Sequence, residues 1–563
     1  MLIFLRKGKA WHHIAKPMYL QKSVRRWLST VYALSSGQGK CGVALVRVTG
    51  SRARDVLTCM TVPSVVPQPR VAALRRIIHP LTKQGLDRGL VLWFPGPHSF
   101  TGEDSCELHI HGGVAVINAV LEALSMLPGF LPAQPGDFTK RAFYNGKLDL
   151  TSVEGLGDLI HAETEAQRKQ ALLQMEGALG QLYASWRQTL LHCRANIEAF
   201  IDFSEDENIE EGVVKDVELK IRTTIGEMEK HLCDNRRGER LRSGLKLAIL
   251  GRPNVGKSSF MNALVQRPAA IVSPIPGTTR DVIETTLDLG GYPVILSDTA
   301  GLHQTDDIVE SEGIKRAIAK SKEADIAVVI IEAEDVLKAI KQSSDWSEYI
   351  NSFLTEIGAL EDQDLSENCN WFTDQNVIIL INKVDLIKCR QDKILLKNTL
   401  KDSGLIMSVK TGEGFDDALY KLKDVCASLC KIGTPENPTL TAARHRIHIS
   451  SCLESLKLIL GNELSNGHRS LSELSSSCKT SLKDSAIQKE SGSHCLSTSS
   501  ATPENTVQIY FEDLNNNLLQ SEETLILAAH HLQKAANHLG YVTGHITTED
   551  VLNHIFSAFC IGK

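Results

Sequence analysis

The stretch Leu245 to Asn262, LKLAILGRPNVGKSSFMN, limits what this chain can fold into more than any other. It reads as a buried strand, a loop bounded by glycines and the start of a helix. In Gly251-Arg252-Pro253-Asn254-Val255-Gly256-Lys257-Ser258 the glycines let backbone N–H groups turn toward an anion. Lys257 is placed to reach β- and γ-phosphates, and Ser258 to offer its hydroxyl to Mg2+. The helix N-terminus behind the loop favours negative charge. Val255, Gly256 and Ser259 belong to the same cradle.

An ordered series of partners follows. Gly277-Thr278-Thr279-Arg280-Asp281 reads as a loop in which Thr279 completes the Mg2+ shell and senses the γ-phosphate, with Thr278 beside it. Val294-Ile295-Leu296 reads as a strand running into Asp298-Thr299-Ala300-Gly301, where Asp298 holds the metal through water and Gly301 follows the γ-phosphate. Ile326 to Ile331 is a further apolar strand that ends without a motif. Val377 to Ile381 runs into Asn382-Lys383-Val384-Asp385, and Leu405 to Met407 into Ser408-Val409-Lys410. These last two select the base: the Asp385 carboxylate accepts both N1–H and N2–H of guanine, a donor pair that adenine lacks. The expected nucleotide is GTP.

The remainder of the chain is large. With 563 residues, 42% of them hydrophobic, three or four domains are expected. Arg6, Lys7, Lys9, Lys16, Lys22, Arg25 and Arg26 interleave with apolar residues, and the first carboxylate is Asp55, which suits a mitochondrial transit peptide over residues 1–30. No apolar run approaches the length of a membrane span, so membrane insertion is not expected and the matrix is the expected location. A formal charge of −6, more negative still without the basic start, excludes overall attraction as the basis of nucleic-acid binding. Thirteen cysteines without a CxxC pair point to reduced thiols and no structural metal.

Strands over Val43–Val48, Ile77-Ile78, Leu90–Phe94 and Glu107–Ile110 and a helix over Val114–Met126 predict an α+β domain across 31–150. Its polar candidates are Arg47, Glu107 and Lys147, which chemistry alone leaves open between surface charges and a binding site. His109 and His111 share a strand face but have no evident third metal ligand. Helical periodicity begins at Thr151. Leu179, Leu182, Trp186, Leu190, Cys193, Ile197 and Phe200 form one stripe, acidic Glu205–Glu211 interrupts it, and Val217–Leu232 is a second helix. The basic Arg236–Arg242 reads as a linker into a P-loop domain over 243–433. Helices resume at Ala442–Leu460 and Glu522–Leu539, with Gly540 as a stop and Thr547-Thr548-Glu549-Asp550 opening a last helix. The economical architecture is a helical domain, 151–242 and 434–563, into which the P-loop domain is inserted. Lys338–Asp374 and the Ser-rich 465–506, expected to be disordered, read as additions.

The phosphate loop, Gly277–Asp281, Phe100-Thr101-Gly102-Glu103-Asp104, Lys147-Leu148-Asp149 and the closing Phe559-Cys560-Ile561-Gly562-Lys563 together resemble the MnmE (TrmE) family of tRNA modification GTPases, in its mitochondrial, vertebrate-type form. The resemblance implies an N-terminal folate-binding domain that also dimerises the protein. It further implies a helical domain split by the GTPase domain, and a flavin-containing (FAD) MnmG-type partner. The implied activity is GTP hydrolysis coupled to C5 modification of the wobble uridine of mitochondrial tRNA, of the 5-taurinomethyluridine type. The one-carbon unit would come from 5,10-methylene-tetrahydrofolate. Folate contacts carry over to Arg47, Glu107, Lys147 and Lys563, and Cys560 stands where the family has a terminal cysteine. Cys560-Ile561-Gly562-Lys563 has the spacing of a prenylation box, but Gly562 is not aliphatic and lipidation is rejected.

The resemblance also bears on hydrolysis. After the Asp298–Gly301 motif, apolar Leu302 stands where signalling GTPases carry a water-orienting Gln; the family uses a later glutamate, matching Glu310. It binds K+ beside the phosphates, which maps to Asn254, Ser273, Ile275 and Thr278. From the residues alone Asn254 reads first as a turn residue. Ser-Val-Lys here departs from the usual Ser-Ala-Lys, with little consequence for a backbone contact. The alternative reading is a mitochondrial ribosome-assembly GTPase, an rRNA-binding switch, which requires an RNA-binding module where this chain offers helices.

Overall fold

The computed structural model describes residues 29–37, 39–203, 212–266, 285–296, 324–342, 346–356, 376–400, 404–460, 522–546 and 549–562. Residues 1–28 of the expected transit peptide, the acidic Glu205–Glu211 and the Ser-rich 465–506 lie outside them, whereas Thr30, expected to end the transit peptide, begins the first strand. Two compact units are present: one formed by the described residues up to Gly157 together with those from Ile546 onward, the other from Asp158 to His545. Among the described residues no helix is long and apolar enough to cross a membrane.

In the first unit β1 (Thr30–Leu34), β2 (Cys41–Thr49), β3 (Thr61–Val62), β4 (Ala73–Ile78), β5 (Gly85–Phe94), β6 (Ser105–Gly112) and β7 (Phe130–Pro132) form a seven-stranded sheet in the order β3-β4-β5-β6-β2-β1-β7. Only the β1–β7 pair is parallel. Alternation decides the faces. Ala44, Val46 and Val48 of β2 are buried, with half-buried Leu45 and Arg47 between them. The buried face is covered by the helices Ala53–Cys59 and Val114–Ser125 through Val56, Leu57, Val120 and Leu124. The other face carries Arg47 opposite Glu107 on neighbouring strands.

The last helix, Glu549–Ser557, belongs to this unit, whereas the sequence reading grouped it with the helical part. Packing explains the difference. Phe556 and Phe559 are buried; the Phe556 ring packs tilted against that of Phe143, 6.1 Å between centres, and Phe559 lies over Gly157, where a Cβ would stand 3.3 Å from its ring. Ser35 then donates its hydroxyl to the carbonyl of Gly562 at 2.9 Å. The apolar side of this amphipathic helix is covered here because Gly136 and Gly157 leave room for Phe556 and Phe559.

In the second unit β8 (Leu245–Leu250), β9 (Thr285–Leu289), β10 (Tyr292–Leu296), β11 (Ile326–Glu332), β12 (Val377–Asn382) and β13 (Leu405–Ile406) form a six-stranded sheet ordered β13-β12-β11-β8-β10-β9. All pairs are parallel except β9–β10. Val328 to Ile331 are buried on both faces, as in a parallel sheet flanked by helices. One of those helices, Trp346–Glu356, lies inside the stretch expected to be an addition. It buries Trp346, Ile350, Phe353 and Leu354 against Leu250, Val329 and Ile331, so this part is core.

The helices Ala178–Phe203, Gly212–Leu232, Ala443–Ile459 and Glu522–Thr543 share a second core around Leu179, Trp186, Leu190, Ile221, Leu453, Leu532 and Leu539. Leu182 and Phe200 of the expected stripe are only half-buried; Tyr183 is buried instead, its hydroxyl 3.1 Å from His231 Nε2. Gly540 does not end its helix, which runs to Thr543 and stops at Gly544, φ +88°. The basic linker is itself partly a helix, Arg237–Ser243, because its charges are matched. Arg240 pairs with Asp325 at 2.8 Å, and Arg446 grips Glu239 and Asp234 at 2.7 and 2.6 Å.

Burial, with Arg446 and His445 nearby, holds the His231 imidazole down at about 4. Folding therefore favours its neutral form. That contribution is complete above the ordinary value of 6.5 and is lost as pH falls toward 4, at up to about 1.4 kcal/mol per pH unit. In fluorescence-detected urea unfolding we expect His231→Gln to lose less stability than the parent over this window; equal losses would contradict the assignment.

Candidate functional site

The phosphate loop leaves β8 at Gly251, whose φ of +145° and close approach to the Ile330 carbonyl both exclude a side chain. Asn254 is left-handed at φ +63° and exposed, whereas Val255 is buried and anchors the loop. At Gly256, φ +102°, a Cβ would collide with the Asn382 amide. The helix Lys257–Val265 begins there, fixed to the core by Phe260, edge-on to Phe415 at 5.6 Å. Lys257 Nζ donates to the carbonyls of Gly251 and Arg252 at 2.7 and 2.8 Å, which places the ammonium at the mouth of the loop. Ser258 and Ser259, in the first turn, are exposed.

The base-selecting segments meet this loop through one residue. Asn382, 3% exposed at the end of β12, donates Nδ2–H to the Val255 carbonyl at 2.7 Å and accepts the Val409 N–H on Oδ1 at 3.1 Å. Ser408 is fully buried; its hydroxyl donates to Asp385 Oδ1 at 2.7 Å and accepts from Thr411 N–H at 3.3 Å. The orientation of the carboxylate is thus fixed by the protein itself. Lys383, left-handed at φ +65°, pairs through Nζ with Glu332 at 2.9 Å; Lys410 is exposed. Glu332 is the residue that sequence reasoning missed, since β11 was read as ending without a motif. The signal was present: an acidic residue directly after an apolar strand, in register with Asn382. Ser273, Ile275, Thr278, Thr279, Asp298, Thr299, Ala300, Gly301 and Glu310 lie outside the described residues.

In the first unit, Arg47 and Glu107 are brought together. Nε and Nη2 of Arg47 donate to Glu107 Oε1 at 3.0 and 2.9 Å. The guanidinium lies 5.7 Å from the Phe100 ring centre and 5.9 Å from that of Phe138. The two rings, neither of them among the sequence candidates, make the cation's surroundings apolar. Lys147 is exposed, at the end of a segment seated by Arg141, which pairs with Glu103 at 2.6 Å, and by Asn145, which donates to the Thr101 carbonyl at 2.7 Å. Phe138, in that same segment, joins it to Arg47. His109 faces Glu107 at 3.6 Å while His111 binds Asp87 at 2.8 Å, so the two histidines serve different carboxylates. Cys560 is exposed, and Lys563 lies outside the described residues.

The chain is similar to known proteins over nearly its whole length. A family model described as the GTP-binding protein TrmE N-terminus matches residues 30–147, and one described as the MnmE helical domain matches residues 150–488. The chain is 44% identical over 538 residues to the mitochondrial 5-taurinomethyluridine tRNA synthase subunit GTPB3 of Danio rerio, covering 95% of this chain and 93% of that one. It is 41% identical over 535 residues to the corresponding subunit of Homo sapiens, with the same coverage. To the tRNA modification GTPase MnmE of Rickettsia bellii (strain OSU 85-389) it is 37% identical over 538 residues, covering 95% of this chain and all of that protein. The chain belongs to the MnmE/TrmE family of tRNA modification GTPases.

Proposed function

We propose that this chain hydrolyses GTP as a subunit of the system that builds 5-taurinomethyluridine at the wobble position of mitochondrial tRNAs. It would work in the matrix as a homodimer with an MnmG-type FAD-containing partner and a one-carbon unit from 5,10-methylene-tetrahydrofolate. The observation that carries the nucleotide half is the Ser408–Asp385 contact, hung on Asn382 above the phosphate loop. Family membership and the activities for which the relatives are named support the tRNA half.

Within this reading Asp385 accepts the two guanine donors and Lys257 neutralises the β- and γ-phosphate oxygens. Exposed Ser258 suits Mg2+, with Thr279. Asn254, held left-handed at the loop's mouth, suits K+ together with Ser273, Ile275 and Thr278. When bound there, these ions would supply positive charge that neutralises the phosphate oxygens. Glu310 orients the attacking water in place of a glutamine. In the first unit Glu107, clamped by Arg47, takes the pterin N–H groups, and Lys147 and Lys563 take the tail carboxylates. Exposed Cys560 is available to the modification chemistry.

Replacing the carboxylate by an amide presents N–H where guanine also presents N–H. Asp385→Asn is therefore expected to weaken GTP binding by roughly a hundredfold or more and to favour xanthosine triphosphate, in fluorescent-nucleotide titrations; unchanged preference would refute the base contact. Nucleoside mass spectrometry of mitochondrial tRNA from depleted cells should lose 5-taurinomethyluridine, restored by the parent chain but not by Glu107→Gln or a chain lacking Lys563. Unaltered wobble uridines would favour the ribosome-assembly alternative.

A further inference from the structure

The β9–β10 hairpin ends in Gly290-Gly291, with φ of +69° and +93°, between paired Leu289 and Tyr292. Two left-handed residues match the twist of the strands and make a tight, defined tip. Asp288 Oδ1 fixes it further by accepting the Gly291 N–H at 2.6 Å. In sequence the hairpin joins the Gly277–Asp281 and Asp298–Gly301 segments, the two proposed to sense the γ-phosphate.

The tip meets the helical part. Ala166 donates its N–H to the Gly291 carbonyl at 3.0 Å, and its buried methyl belongs to the P-loop domain's core cluster, with Leu289. A Cβ on Gly291 would stand 3.7 Å from the Cβ of Glu165. The same helix, Glu165–Met175, also holds both chain crossings between the two domains. On the way in, Gln167 donates to the Arg242 carbonyl at 3.3 Å, and Arg242 pairs with Asp158 at 2.8 Å. On the way out, Gly433 N–H donates to Gln170 at 3.2 Å, and Thr441 donates to Gln174 at 2.6 Å.

The two kinds of contact differ in strength. Gln170, Gln174 and Thr441 are buried, so breaking them strands polar groups away from water. Among the described residues, the tip meets this helix through one backbone hydrogen bond and the Ala166 methyl group, with Glu165 beside Gly291. Glu165 adds no charge contact to it, because its carboxylate is engaged by Arg168 and Lys169 of its own helix.

We propose that the Ala166–Gly291 contact is a latch that opens during the GTPase cycle, while the outgoing crossing, gripped by Gln170 and Gln174, stays closed as the pivot. The latch makes Glu165–Met175 the positioning element that couples nucleotide turnover to tRNA modification, and it rests on the GTPase reading above. Because the Cβ separation falls within the range of about 3.5–4.5 Å that a disulfide requires, the double variant Glu165→Cys/Gly291→Cys can lock it. Peptide mapping without reductant identifies the new bond among the native cysteines. In the oxidised full-length chain, assayed with its flavoprotein partner and tRNA, we expect nucleotide affinity to be retained and tRNA modification to fall by about tenfold or more, with recovery on reduction. Undiminished modification with the bond formed, or failure of the bond to form, would overturn the latch. Absence of modification in the parent and the reduced variant alike would instead overturn the functional reading beneath it.

Discussion

The nucleotide site depends on the side-chain amide of Asn382. It is almost fully buried, and both of its ends are used: one accepts from the segment after β13, the other donates to the phosphate loop after β8. These segments come from strands that are not neighbours in the sheet, since β11 and β12 lie between β8 and β13. No backbone ladder joins them at this end. An amide is suited to the task because it supplies a donor and an acceptor in fixed geometry without a charge to desolvate. The loop answers with Gly256, whose missing side chain leaves room for the amide.

Around that hub the remaining parts are oriented rather than merely present. Ser408 aims one oxygen of Asp385, and Glu332 holds Lys383 from the neighbouring strand. The folate candidates follow the same logic: Arg47 fixes Glu107 across two strands, between the rings of Phe100 and Phe138. In both places a carboxylate proposed to meet a ligand is held by a second polar group of the protein. That division keeps the reactive geometry in place before binding, when water would otherwise compete for it.

Much of this was legible in the sequence because strand, loop and motif lie within a few residues of each other. The glycine-bounded loop and the Asn382–Asp385 and Ser408–Lys410 segments each follow a run of apolar residues, and a parallel sheet brings such strand ends to one edge. What was not legible depends on distant partners. Tyr183 enters the helical core because His231 satisfies its hydroxyl, and no apolar periodicity predicts that. Arg237–Ser243 is helical where charge density suggested a linker, because Asp325 and Arg446 lie far away in sequence. Trp346–Glu356 looked like an addition by length alone, yet its aromatic and aliphatic residues complete one side of the sheet. The final helix sits with the first unit because Gly136 and Gly157 make room for Phe556 and Phe559, a fit that local pattern does not encode.

The central claim is that one buried amide joins the phosphate loop to the base-selecting segments. Its most direct test is the GTP dissociation constant of Asn382→Leu, which keeps the size of the side chain and removes both hydrogen bonds, with circular dichroism to verify that the chain remains folded. Losing two hydrogen bonds and leaving a carbonyl and an N–H buried without partners is worth about 3 kcal/mol, so the account predicts weakening of roughly a hundredfold. An affinity equal to that of the parent in a folded chain would contradict it.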